Sequence, residues 1–342
     1  MIDGKRAHMS RRALLVAGGS ATLFAPSLRA QARSGWSDLR SQAASLDQLH
    51  TIVVWINGEE VFADRFRGPG LDRAVNVKSV SKTFVAALTG AAIDRDILPG
   101  LDATIGGLSP GLIPTGADPR VAGITLGDLI TMQAGLERTS GQNYGAWVSS
   151  PNWVAHALSR PMVSEPGRGM SYSTGSFHIL GAVLTEVSGR SLHSLARDWL
   201  GNPLGIEIAA WTRDPQGYYL GGNEMSLSPR AMIRFAEMYR QGGVWSGSQV
   251  LSANWVESSF EPRTRSRFSG LDYGLGWFLG RIQGYEFALG RGYGGQLVGI
   301  VPELRMSFAI TSDPTRPARS GGYFGDLLDL IGQGVIPAAR TV

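Results

Sequence analysis

The chain has 342 residues, 43% of them hydrophobic, enough for a large core in one or two domains. It has no cysteine, which excludes disulfides, thiolate metal sites and a cysteine nucleophile. The first 32 residues carry Lys5, Arg6, Arg11, Arg12 and Arg29 against Asp3, a net +4 that equals the formal total, so the remainder is neutral and offers no basic stripe for nucleic acid.

Ser10-Arg11-Arg12-Ala13-Leu14-Leu15 resembles a twin-arginine export signal. The apolar stretch after it, Ala13 to Leu28, is broken by Gly18-Gly19 and Pro26 and is too short for a membrane span. Ala30-Gln31-Ala32 suits a signal peptidase, so residues 1–32 read as a leader cleaved after Ala32, with Met9 an alternative start. The expected product is periplasmic or secreted, with no membrane segment left after cleavage. Residues 51–66 alternate around Asn57-Gly58, a hairpin signal. Ser79 then opens an apolar helix running through Ala92. Residues 96–210 read as mainly helical, with helices expected over 124–134 (Gly135 ending the helix), 153–158, 175–186 and 194–200. A further helix is expected over 229–241. Short strands return over 274–279, 284–289, 296–301 and 306–311, and a helix over 323–331 packs on them. Strands at both chain ends with helices between predict an α+β fold: one antiparallel sheet built from the two ends, with a mainly helical region inserted.

Only three of the 32 basic residues are lysine, and two of them stand in Lys78-Ser79-Val80-Ser81-Lys82. Arginine keeps its proton in a protein, whereas a desolvated lysine loses it, so this bias points to a lysine needed as a neutral amine. Ser79-x-x-Lys82 places a hydroxyl one helical turn before that amine, a way to activate an alcohol as a nucleophile. Lys78 reads as a surface charge or a contributor to the local potential. The five histidines form no HxxxH or HExxH pair, and there is no P-loop, so a zinc hydrolase is unsupported and no cofactor is expected.

Acyl transfer also needs a proton shuttle and donors for the developing oxyanion. Tyr172-Ser173-Thr174, entering a helix, supplies a tyrosine for the first. The glycine-dense Gly290-Arg291-Gly292-Tyr293-Gly294-Gly295-Gln296, between two strands, marks a close backbone approach. Tyr144, Trp147, Trp211 and Trp277 are aromatic candidates for a pocket lining.

In this order the three elements resemble the penicillin-recognising serine hydrolases, closest to the branch of class C β-lactamases, family VIII esterases and 6-aminohexanoate-dimer hydrolases. Ile124–Leu136, Glu165-Pro166-Gly167 and Gly242–Gly247 also resemble that branch. The resemblance implies a β-lactamase/transpeptidase-like fold over residues 33–342, with an α/β part at about 45–80 and 210–342 and a helical part at about 81–209. It implies Ser79 as the acylated nucleophile and Lys82 as its base or the holder of the shuttle. Tyr172 protonates the leaving group and then activates water, and the backbone N–H groups of Ser79 and Tyr293 form the oxyanion hole. Thr174, Gly290, Arg291 and Gly292 are the implied substrate contacts, to which the loop aromatic Tyr144 is added from its own setting. Two positions depart from the family pattern: Thr174 stands for asparagine, and Gly290-Arg291-Gly292 for Lys-Thr-Gly. The expected activity is therefore hydrolysis of a small-molecule ester or amide rather than of β-lactams. The alternatives are a β-lactamase or D-Ala-D-Ala carboxypeptidase, or a non-catalytic binder of cell-wall fragments on the same fold.

Overall fold

The computed structural model describes residues 28–341. The twin-arginine leader lies outside the described residues, and the cleavage point expected after Ala32 falls inside the first helix, α1 (Leu28–Ser45). The predicted hairpin forms from β1 (Leu49–Ile56) and β2 (Glu59–Arg65), with Asn57 and Gly58 at φ 54° and 85°. Positive φ at both turn residues matches the turn to the strand twist, which is why this dipeptide sits there.

After β3 (Val75–Asn76) and the 3-10 turn Lys78–Val80 comes α2 (Ser81–Ile93), buried almost throughout. The inserted region holds α3 (Ile105–Leu108), α4 (Leu126–Ile130), α5 (Tyr144–Val148), α6 (Trp153–Leu158), α7 (Thr174–Ser188), α8 (Leu192–Ala196) and α9 (Asn202–Leu204). The chain returns through β4 (Ser226–Leu227), α10 (Pro229–Arg240), β5 (Val244–Trp245), β6 (Ser248–Gln249) and α11 (Ala253–Ser259). It ends with β7 (Thr264–Arg265), β8 (Asp272–Tyr273), β9 (Phe278–Ile282), β10 (Tyr285–Gly292), β11 (Gln296–Val301), β12 (Met306–Ser312), α12 (Tyr323–Leu330) and α13 (Ile336–Ala339).

The main sheet is antiparallel, in the order β2-β1-β12-β11-β10-β9-β8-β7, so the first hairpin is zipped to the last strand. The period-2 alternation sorts its two faces. Val54 pairs with both Phe62 and Phe308, and Trp36 of α1 stacks on Phe62 at 5.4 Å, which sets α1 on that face. The neighbouring Ser307 faces the other way and donates to Glu237 of α10. Phe235 of α10 stacks at 3.8 Å on Phe84 of α2, tying the helical layer to the sheet.

Three expected elements differ. The helix predicted over 124–134 stops at Ile130, because Met132 turns left-handed at φ 64° and the Thr131 hydroxyl takes the Gly127 carbonyl. Gly135, also left-handed, therefore lies in a loop beyond the helix rather than capping it. The strand expected over 274–279 begins only at Phe278, as β9, because residues 274–277 form a tight turn after β8, where Gly276 at φ 81° brings the backbone against Ala86 of α2. The helix expected over 194–200 starts earlier, as α8, and widens into a π-turn at Arg197–Gly201.

Candidate active site

The turn bearing Ser79 is strained and held from several sides. Lys78 sits at φ 52°, a left-handed conformation that costs a non-glycine residue about 1 kcal/mol or more. Its N–H donates to Asn76 Oδ1 at 2.9 Å, and its carbonyl accepts from Ser81 Oγ at 2.6 Å. Its ammonium pairs at 3.1 Å with Glu224, itself left-handed at φ 69° and also bound by the Asn76 amide. Lys78, expected as a surface charge, is thus three-quarters covered and clasps two strained turns together. The β3–β4 pair, Asn76 opposite Ser226, fixes the same approach through the backbone.

One turn on, Lys82 points back at Ser79. Its Nζ lies 2.9 Å from Ser79 Oγ, 3.2 Å from Thr174 Oγ1 and 2.6 Å from the Gly222 carbonyl. No carboxylate salt-bridges it among the described residues, and burial pulls its pKa down from 10.5 to about 7. In the neutral form two N–H bonds satisfy Gly222 and Thr174, and the nitrogen lone pair is left for the Ser79 hydroxyl. Thr174 meets Lys82 with its hydroxyl. Its Oγ1 is 3.0 Å from Ser140 Oγ, which in turn accepts the Thr174 N–H at 2.8 Å.

Tyr172 closes the group. Its ring centroid is 5.0 Å from Lys82 Nζ, and the ring stacks on Phe278. Burial raises the pKa of its hydroxyl, and the nearby Ser79 hydroxyl and Arg291 charge act more weakly the other way. Arg291 projects from β10 into the same cleft. Its guanidinium donates to the Ala318 carbonyl at 2.8 Å and to Ser320 Oγ at 3.3 Å, and lies 3.5 Å over the Phe324 ring. Burial lowers its pKa to about 10.

These groups open on a cleft of about 860 Å³ that includes Ser79, Tyr144, Tyr172, Thr174, Arg291, Gly292 and Tyr293 among its walls. Tyr144 accepts from the Asn223 amide at 3.0 Å. Gly292 is required by close approach: a Cβ there would stand 2.3 Å from the Val77 carbonyl, beside the serine turn. Gly290 does not line the cleft. Its missing side chain makes room for Thr83 of α2, 2.7 Å from where a Cβ would stand.

The three tryptophan candidates also lie elsewhere. Trp147 is fully buried, donating to the Trp153 carbonyl at 2.8 Å and bracing Tyr144 edge-on. Trp277 is fully buried against Phe235 and Tyr239 of α10, just after the tight turn at which Gly276 meets α2. Trp211 packs on Tyr219 and donates to the Leu220 carbonyl. Sequence reasoning missed Ser140, Gly222 and Asn223. The Gly221-Gly222 pair carried a signal: Cβ atoms there would strike the Phe177 carbonyl at 2.0 Å and the Thr174 carbonyl at 2.9 Å, so only glycine lets this loop reach Lys82.

An antiparallel sheet flanked by helices, with a Ser-x-x-Lys turn facing a tyrosine across a cleft, defines a serine-hydrolase fold of the β-lactamase/transpeptidase type. The chain belongs to the Beta-lactamase family, whose sequence model matches residues 43–330. Among solved structures it is similar to a putative 6-aminohexanoate-dimer hydrolase from Bacillus anthracis, at 18% identity and TM-score 0.73, covering 89% of this chain and 81% of that one. It is similar at TM-score 0.71 and 16% identity to EstCE1, described as a hydrolase with promiscuous acyltransferase activity, over 89% and 98% of the two chains. A putative β-lactamase from Bacteroides dorei matches at TM-score 0.72 and 19% identity, over 90% and 98%. In sequence, a probable fimbrial assembly protein FimD of Dichelobacter nodosus is 29% identical over 160 residues, 43% of this chain and 40% of that protein. The chain thus spans about two fifths of the length of that relative.

Proposed function

We propose that this protein hydrolyses an ester or amide through an acyl-enzyme on Ser79. The observation that carries the reading is the buried Lys82 amine, held 2.9 Å from Ser79 Oγ with its pKa brought to about 7. Near neutral pH such an amine is partly unprotonated and takes the Ser79 proton as Oγ attacks the carbonyl carbon. The oxyanion is received by the Ser79 and Tyr293 N–H groups, in the 3-10 turn leading into α2 and just past the end of β10, with the helix dipole in support. The tetrahedral intermediate collapses as the bond to the leaving group breaks, and Tyr172, kept protonated by burial, supplies its proton. Water activated by the same pair then releases the acid. Two groups whose surroundings set one pKa low and the other high divide the work of base and acid.

Esters and simple amides suit the cleft better than β-lactams, because Gly290 brings no lysine to the place where the family carries one. The Arg11-Arg12 leader supports export of this activity. The test is turnover of p-nitrophenyl esters and labelling by a fluorophosphonate probe. The Ser79→Ala variant is expected to lose both, and persistent labelling of it rejects the assignment.

A further inference from the structure

Beside the main cleft lies a second chamber of about 300 Å³. Arg138, Tyr172, Ser266 and Phe268 border both spaces and form the partition between them. Ser79, Thr174, Arg291 and Tyr293 line only the larger space, whereas Val163, Met170 and Ser171 line only the smaller. Tyr172 is therefore the one member of the Ser79–Lys82–Tyr172 group that the side chamber reaches. We propose that the two spaces hold the two sides of the scissile bond: the acyl group lies in the main cleft, and the leaving group, an aryl or arylalkyl alcohol or amine, lies in the side chamber. The assignment rests on the hydrolase reading above and deepens it.

Several observations support this division. As Ser79 Oγ bonds the acyl carbon and the bond to the leaving oxygen or nitrogen breaks, the proton lost by Ser79 must end on that leaving atom. The leaving atom then has to lie on the Tyr172 side, where the side chamber begins. The chamber's chemistry selects an aromatic group. The Arg138 guanidinium lies 5.3 Å over the Phe268 ring, offering cation and ring faces for stacking, and Met170 adds a sulfur that favours aromatic neighbours. Among the described residues the large hydrophobics most open to water are Val163, Phe268 and Tyr293, at 61%, 70% and 52%. All three stand at these two spaces, Val163 and Phe268 at the side chamber. Apolar side chains left open to water at one place mark a surface that a ligand covers.

The test compares kcat/KM, which reports acylation, for benzyl, cyclohexylmethyl and methyl butyrate. Benzyl and cyclohexylmethyl alcohols have similar acidity and size, so their ratio isolates recognition of the ring. Wild type is expected to favour benzyl over cyclohexylmethyl about tenfold, within the range that pocket contacts discriminate. Phe268→Ala should bring that ratio near one. Val163→Trp, which fills the chamber from its exposed rim, should lower the benzyl-to-methyl ratio about tenfold. In Val163→Trp, whose side chain borders only the side chamber, the ratio between hexanoyl and acetyl methyl esters should stay as in wild type. If the alcohol ratios hold within twofold in both variants, or Val163→Trp moves the acyl ratio in place of the alcohol ratio, the chamber assignment is overturned and the hydrolase reading stands. If wild type neither turns over any of these esters nor acylates Ser79, the hydrolase reading itself fails.

Discussion

At the scale of the residue, Lys82 is set by burial, which disfavours its charge, while the Gly222 carbonyl at 2.6 Å fixes the direction of its amine. Burial places its pKa at about 7. The kcat/KM for an uncharged ester should therefore rise with pH through an acid limb near 7, as Lys82 loses its proton. It should then hold a plateau into the range above 10, since Tyr172 is raised from its ordinary 10.0 and acts in its protonated form. Lys82→Arg keeps the charge but cannot lose it, and should lower kcat/KM by about 10²–10⁴ across the whole pH range. A pH–rate profile of both proteins checks this, and a Lys82→Arg enzyme with near-wild-type turnover would sink the neutral-amine argument. The arginine bias of the chain makes this lysine conspicuous in the sequence itself. The same bias is silent on Ser140, because a hydroxyl that meets Thr174 from 34 positions away leaves no local pattern.

At the scale of the element, strong periodicity and turn chemistry carried well. The Asn57-Gly58 hairpin, α6, β11 and most of α7 and α10 stand where alternation, apolar spacing and terminal glycines put them. What failed was decided by contacts distant in sequence. Trp277 looked like a cleft residue, yet a left-handed glycine packed on α2 sends it into the core. Lys78 looked incidental, because its partner Glu224 lies 146 positions away. Strand β10 shows how far local composition can reach: its glycines signalled close approach, and the structure identifies what approaches, Thr83 at Gly290 and the Val77 carbonyl at Gly292. Gly292→Ala would force its Cβ against backbone, with no flexible side chain to yield. It should cost about 1–3 kcal/mol in stability and, by moving β10 off the Ser79 turn, lower acylation more than tenfold. Thermal melting together with burst-phase acylation by an activated ester reads both effects, and a variant that melts lower but acylates normally would separate β10 from the nucleophile's geometry.

At the scale of the whole molecule, the pairing of β1 with β12 brings the first and last strands together, and this topology was legible because strands clustered toward the two ends of the sequence. The distribution of charge was not legible. Residues 33–342 are neutral in sum, which hid an uneven arrangement. Among the described residues no carboxylate lies within 4 Å of Arg138, Arg291 or Arg319, and all three line the cleft, whereas the one acid there, Glu224, is neutralised by Lys78. A concave site with cationic walls and low-dielectric surroundings focuses a positive potential on the mouth and raises the encounter rate of anions. An ester bearing a carboxylate on its acyl side should thus be favoured over an uncharged ester of equal length, and the preference should shrink as salt rises. The Debye length falls from about 10 Å at 0.1 M to about 3 Å at 1 M, so only contacts nearer than that persist. Measured with succinyl and butyryl esters of one alcohol, the kcat/KM ratio should drop several-fold between those two ionic strengths. Arg291→Met should remove most of the low-salt preference while leaving a residue of salt dependence from Arg138 and Arg319. A ratio that ignores salt in wild type would mean that the three arginines serve the packing of the cleft walls and do not steer the substrate.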